Sequence, residues 1–325
     1  MLRPERFIEY KPELMHRPKY RELFESPKIL VQRLTSGDWI QATLDRGGVY
    51  VNHVLNCCTK LESVIHLGAR LNIDLTAARP NPDYSLDYIL ALMCSRLSGM
   101  YHNRFLSPGL DIFPETIRQL PIRRIEFTTP ADERQQLVIQ AQALHAAGDT
   151  CPVDAAALLA FTDDRLAADP EQADVVHDLL AYLAQQMIQM HQRKQTAVEA
   201  FWLDLEGVTD EPTFQRLRYK GKQEHTLWKR SAAACRPYVR EDSHATRRLD
   251  ESLVWSEDAF KGFVKTLVRK VVGLSDLVSV YRAHSPAYRE LVARIAATDR
   301  LIDQIIYKLY GLTENEIAIV EGRDE

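Results

Sequence analysis

Residues 81–84 read Asn-Pro-Asp-Tyr. That is one letter from Asn-Pro-Pro-Tyr, a pocket whose asparagine hydrogen-bonds the amino group of a flipped base and whose tyrosine stacks on its ring. Methyl transfer needs a second part, a glycine-rich turn after a strand to hold the methyl donor. Upstream of Asn81 the glycines are Gly37, Gly47, Gly48 and Gly68, and none forms G-x-G. About 80 residues is also too short for a doubly wound cofactor domain. A local reading explains the tetrapeptide as well: Asn81-Pro82 makes a turn, and Asp83 or Ser85 caps a helix carrying Leu86 and Ile89.

Other chemistries lack their residue patterns. A metal-dependent nuclease of the PD-(D/E)-x-K type needs an aspartate ahead of an acidic-x-lysine pair. The only E-x-K is Glu9-Tyr10-Lys11, with no aspartate before it. Lys220-Gly221-Lys222 lacks the frame of a phosphate-cradling G-x-x-x-x-G-K-[ST] loop. Neither G-x-S-x-G nor H-E-x-x-H occurs, and His177 and His191 read as packed or solvated helix residues. The five cysteines are odd in number, and Cys57 and Cys58 are adjacent. They read as small core residues in a reducing compartment rather than as a disulfide framework.

What remains is the binding chemistry of Arg, Lys, Asn and His. Bases are read by bidentate Arg or Lys on guanine and by Asn or Gln on adenine, while any cation holds a phosphate. Arg33, Arg46, Asn52, His53, Lys60, Asn103 and Arg104 lie in or near the N-terminal part. A second candidate is the stretch 216–248, with ten basic and three acidic residues. There Tyr219, Trp228 and Tyr238 interleave with cations including Lys220, Lys222, Lys229 and Arg230. The overall net charge of −4 conceals a mosaic: +3 over 1–130, −8 over 131–205, +4 over 206–270 and −3 over 271–325. Two regions are thus locally positive, without a bulk basic signature.

These groups need elements to position them. With 325 residues, 46% of them hydrophobic, the chain can bury two cores. "SPKILVQRL" reads as a strand buried from both sides. "WIQATLD" and "VYVNHVL" flank Asp45-Arg46-Gly47-Gly48 and read as a hairpin. Leu86, Ile89, Leu90, Met93 and Leu97 have helical spacing. A helix is expected from Pro130 to Gly148, and a long one from Asp174 to Leu205. The partner expected for that long seam runs from Pro286 to Leu309, with Ser285 as N-cap and Gly311 as terminator. Thr313 and Glu316 spell a capping box for a last helix, "ENEIAIV". The expected fold class is α+β. A β-rich domain, 1–130, precedes a helical domain, 131–325, with two long, antiparallel, coiled-coil-like helices and a basic segment at 210–250. No apolar run approaches membrane-spanning length, and the N-terminal stretch lacks a signal-peptide apolar core, so a soluble cytoplasmic protein is expected.

The order "LFESPKILVQRL", "ATLDRGGVYVNHVL", "YILALMCSRLSGMYH", "FPETIRQLPI" resembles the specificity region of TaqI-like adenine methyltransferases, which closes many single-chain type II restriction–modification enzymes. The ending "ATDRLIDQIIYKLYGLTENEIAIVEG" is similar to the end of those chains. The resemblance covers about Tyr10–Pro130 and Asp174–Gly322. It implies a target-recognition domain with supporting helices, reading double-stranded DNA while a separate domain or subunit methylates adenine. The resemblance implies a catalytic domain ahead of this region, expected before residue 1. The acidic 145–175 and basic 210–250 stretches depart from the pattern.

The expectation is a specificity subunit, or the C-terminal part of a longer enzyme, in a DNA-methylating defence system. It would have no catalytic residues, metal or cofactor of its own. S-adenosylmethionine would sit on the partner adenine methyltransferase, with or without a nuclease. Phe7 and Ile8 are the expected partner contact. Two alternatives stay open: a catalytic fragment with an altered Asn81/Tyr84 pocket, and a helical protein-interaction scaffold that binds no DNA.

Overall fold

The computed structural model describes residues 20–34, 39–71, 81, 83–106, 111–147, 155–218, 249–267 and 273–323. These are mostly helical, and the β-structure is smaller than the sequence suggests. Helix α1, Arg21–Glu25, leads into strands β1, Lys28–Gln32, β2, Ala42–Asp45, and β3, Leu55–Thr59. The expected hairpin is not formed. Both β2 and β3 pair antiparallel with β1, which is central, and they do not pair with each other. The physical reason is burial: Lys28 to Val31 are all buried, so β1 is the strand that can be covered on both sides and both edges.

The N-terminal end of β1 carries a buried charge. Lys28 is fully buried, and its ammonium donates to the Phe24 carbonyl oxygen and the Asp45 carboxylate. Asp45 also accepts from the Gly47 and Val49 amides, each at 2.9 Å. Burial works against the Asp45 carboxylate. The Lys28 ammonium and the two amides outweigh it and hold the pKa below the ordinary aspartate value.

Helix α2, Leu86–Cys94, starts at Ser85, whose hydroxyl accepts from the Asp87 amide as an N-cap. Its two sides serve different cores. Leu90 and Met93 pack with Ile29, Val31, Ile40, Ile112 and Leu120 on the sheet. Tyr88, Ala91 and Leu92 pack into a larger helical core. Helix α3, Arg96–Tyr101, and a π turn, His102–Leu106, follow. Helix α4, Pro114–Ile117, is the "FPETI" element.

Further α-helices among the described residues are α5, Ala131–Ala147; α6, Ala155–Leu166; α7, Ala173–Gly207; α8, Glu211–Arg218; α9, Glu257–Leu267; α10, Leu274–Tyr310; and α11, Glu314–Val320. The long seam is present as α7, with Val175, Val176, Leu179, Leu180 and Leu183 fully buried. Helix α10 does not begin at Pro286. It starts at Leu274 and runs through the proline. An interior proline forfeits a backbone hydrogen bond at a cost of about 3 kcal/mol. Leu277 and Tyr281 before it and Tyr288 after it are all buried in one core, which offsets that cost. Gly311, at φ +64°, closes α10, and the Leu312 amide donates back to the Tyr307 carbonyl oxygen at 3.0 Å. Thr313 and Glu316 form the expected capping box.

Two compact units result. One comprises residues 2–188 and 297–325, the other 189–296. The first holds the sheet core and the helical core where Val176, Leu179 and Leu180 meet Leu301, Ile305 and Leu309. In it Asp303 accepts from the Arg96 amide at 2.9 Å, and its other oxygen lies 3.3 Å from the guanidinium. The second gathers Phe201, Leu205, Phe214, Trp255, Phe260 and Tyr281, with Phe260 stacked on Tyr281 at 4.4 Å.

Breaking the Lys28–Asp45 pair from one side leaves a buried charge unpaired. Asp45→Asn is expected to lower unfolding free energy at neutral pH by about 3–5 kcal/mol. Because the folded pKa is depressed, this stabilisation is complete above about pH 5 and is lost as pH falls below about 4. In denaturant titrations across pH, the gap between wild type and Asp45→Asn should therefore narrow on acidification.

Candidate nucleic-acid interface

The residues expected to bind nucleic acid fall into separate groups. β1 pairs Lys28 with both Asp45 and Thr59, so Arg46 and Lys60 follow at one end of the sheet. Gln32 pairs with Leu55, so Arg33, Asn52 and His53 lie at the other end. At ~3.4 Å per residue the two ends are about 15 Å apart.

At the first end, Arg46 donates to Asp87 Oδ2 at 2.6 Å. Asp87 is buried in the first turn of α2, where the helix dipole favours a carboxylate. Lys60 is half-buried and precedes a 3₁₀ turn, Leu61–Ser63. At the other end the Arg33 amide donates to the Val54 carbonyl oxygen at 2.9 Å, and the Ile112 amide donates to the Arg33 carbonyl oxygen at 2.7 Å. The Arg33 guanidinium lies over the Phe113 ring, 5.2 Å from its centroid, and 3.8 Å from Asp111. Asn52 and His53 are exposed in the turn before β3, where Asn52 Oδ1 accepts from the Val54 amide at 3.1 Å.

Asn103 and Arg104 sit on the π turn. The Asn103 side-chain oxygen is 3.2 Å from His102 Nδ1, and Arg104 is exposed. Both line a cleft of about 390 Å³ with Trp39, Arg96, Met100 and Val320. Arg96 stacks over Trp39 at 4.7 Å, a contact that sequence reading missed because 57 residues separate the pair. Lys220, Lys222, Lys229 and Arg230, the aromatics Tyr219, Trp228 and Tyr238, and the expected partner contact Phe7 and Ile8 lie outside the described residues.

The Asn-Pro-Asp-Tyr stretch takes the local form. Asn81 Oδ1 accepts from the Asp83 amide at 3.0 Å. Tyr84 is half-buried against Tyr88, Phe127 and His177, and its hydroxyl accepts from the Ile125 amide at 2.6 Å. His177 is a buried core residue: Nε2 accepts from the Ser85 amide at 3.1 Å, and Nδ1 lies 2.8 Å from Asp178. That leaves the Tyr84 ring engaged in packing.

Cys57 and Cys58 are free thiols in β3, and Cys94 is free in α2. Burial pushes Cys58 and Cys94 each up to about 11. The Cys57 neighbour raises Cys58 further, and the Ala42 carbonyl oxygen accepts from Cys94 Sγ at 3.8 Å. Cys151 and Cys235 lie outside the described residues. Among the described residues no group of three or more His, Cys, Asp or Glu is placed to hold a metal ion, and no helix is long and apolar enough to cross a membrane.

Two outcomes follow for these residues. Asn81→Ala should cost no more than about 1 kcal/mol, the size of a lost local cap, by thermal or chemical unfolding. Cys58 and Cys94 should alkylate far more slowly at pH 8 than a solvated cysteine, because the thiolate is the nucleophile, when peptide labelling is followed by mass spectrometry. Comparison of the chain with known protein families, curated proteins and solved structures finds no match.

Proposed function

We propose that the protein is a DNA-recognition module that directs an adenine methyltransferase partner, with or without a nuclease, to its site. Such a module supplies binding, and S-adenosylmethionine chemistry belongs to the partner. The single observation that carries this reading joins sequence and fold. Stretches resembling TaqI-like specificity regions lie far apart in the chain, yet the sheet, α2, α3, α4, the end of α10 from residue 297 and α11 belong to one compact unit. They are tied by specific contacts: Arg96 to Asp303, and Tyr310 through its hydroxyl to the Pro121 carbonyl oxygen and the Arg123 amide.

Helices α7 and α10 then act as the supporting rods, packed antiparallel. This finer arrangement is supported by core membership. The first part of α7 shares a core with the last part of α10, and the last part of α7 shares a second core with the first part of α10. Cytoplasmic residence, beside the chromosome, goes with the same reading.

Binding to duplex DNA should be dominated by phosphate contacts and fall steeply with salt. Fluorescence anisotropy with a labelled duplex should show an affinity loss on the order of a hundredfold between about 50 and about 200 mM salt. No binding even at the lower salt would contradict the reading and favour a helical protein-interaction scaffold.

A further inference from the structure

The two ends of the sheet hold their cations differently. At the Lys28 end, Lys28 is buried on Asp45, and Arg46 is committed to Asp87 at 2.6 Å. At the Gln32 end, Arg33 reaches Asp111 only at 3.8 Å, and its buried Nε has no hydrogen-bond partner. A guanidinium has five N–H donors in a fixed fork, and leaving a buried one unmet costs free energy. The same end exposes apolar side chains. Leu34, next to Arg33, is 55% exposed; Val54, whose carbonyl oxygen accepts from the Arg33 amide, is 44% exposed; and Phe113, under the Arg33 guanidinium, is 40% exposed. Asn52 and His53 flank Val54 in the exposed turn.

Guanidinium donors beside apolar contacts match what the DNA major groove offers: acceptor pairs on guanine and the 5-methyl group of thymine. Arg33 and Leu34 follow β1 and Val54 precedes β3, so they sit together where the antiparallel β1–β3 pair of the three-stranded sheet ends. We propose that the Gln32 end of the sheet is the base-contacting surface. Arg33 donates to a guanine edge, Leu34, Val54 and Phe113 meet thymine methyl groups, and the Lys28 end is structural. This rests on the DNA-recognition reading above and assigns its contact residues.

The test uses the full chain and a duplex selected by it from a random-sequence library, with affinity read by anisotropy. Arg33→Ala should weaken binding to the selected duplex by at least about fivefold, the effect of losing one bidentate base contact. Replacing contacted thymines by uracil removes only the methyl group. It should weaken the wild type, and the loss should shrink in Leu34→Ala and Phe113→Ala. Leu34→Glu, at an exposed position, should keep the wild-type melting midpoint and lose affinity, which separates binding from folding. Lys60→Ala, at the Lys28 end, should keep the ratio of affinities for the selected and an unrelated duplex, and a loss of that ratio as large as that of Arg33→Ala would overturn the assignment. If the wild type binds duplex but Arg33→Ala and Leu34→Glu bind as it does, the assignment is overturned while the DNA reading stands. If the wild type binds no duplex at low salt, the DNA reading itself fails and the assignment with it.

Discussion

The sheet depends on one buried ion pair. Lys28 opens the central strand and is fully buried, so its ammonium must be matched by acceptors. Asp45 meets it from β2, and the Phe24 carbonyl oxygen meets it from the end of α1. The pairing fixes register, because Lys28 faces Asp45 across β1–β2 and Thr59 across β1–β3. A slip of one residue would put the aspartate on the other face of the sheet. The next residue, Arg46, reaches Asp87 at the start of α2, so the same end of the sheet is also tied to the helix that covers it. With that end used for structure, the Gln32 end is left to present side chains outward.

Helix α2 passes this order on. Its Leu90 and Met93 side belongs to the sheet core, and its Tyr88 and Leu92 side belongs to the helical core of α7 and α10. Burying a leucine is worth about 1.5–3 kcal/mol, so the fully buried Leu179, Leu180 and Leu183 anchor the first half of α7 in that core. The chain returns at its C-terminal end to the same unit, where Asp303 holds the start of α3 and Tyr310 holds the segment after α4. The short sheet thus shares its unit with helices built by residues near the far end of the chain, such as Asp303 and Tyr310.

Much of this was legible in the residues. Ser85 as a cap, the Thr313–Glu316 box, Gly311 as a terminator and the span of α7 are local patterns with local causes. Non-local features were not legible. Asp45-Arg46-Gly47-Gly48 has hairpin composition, but Asp45 is drawn to Lys28, and β3 pairs on the far side of β1. Pro286 looks like a helix start, yet buried aromatics on both sides carry α10 through it. The proposed contact residues were only partly visible. Arg33, Asn52 and His53 could be named from type, but nothing in their spacing separates them from Arg46 and Lys60. That separation came from the order of strands and from the partner each cation finds.

The central claim is that this chain supplies recognition and leaves methyl transfer to a partner. Calorimetric titration of S-adenosylmethionine into the full chain, with and without duplex DNA, tests it most directly. The account predicts no saturable heat in either titration. Tight, stoichiometric binding of the methyl donor would contradict it and return the Asn81–Tyr84 stretch to consideration as a catalytic pocket.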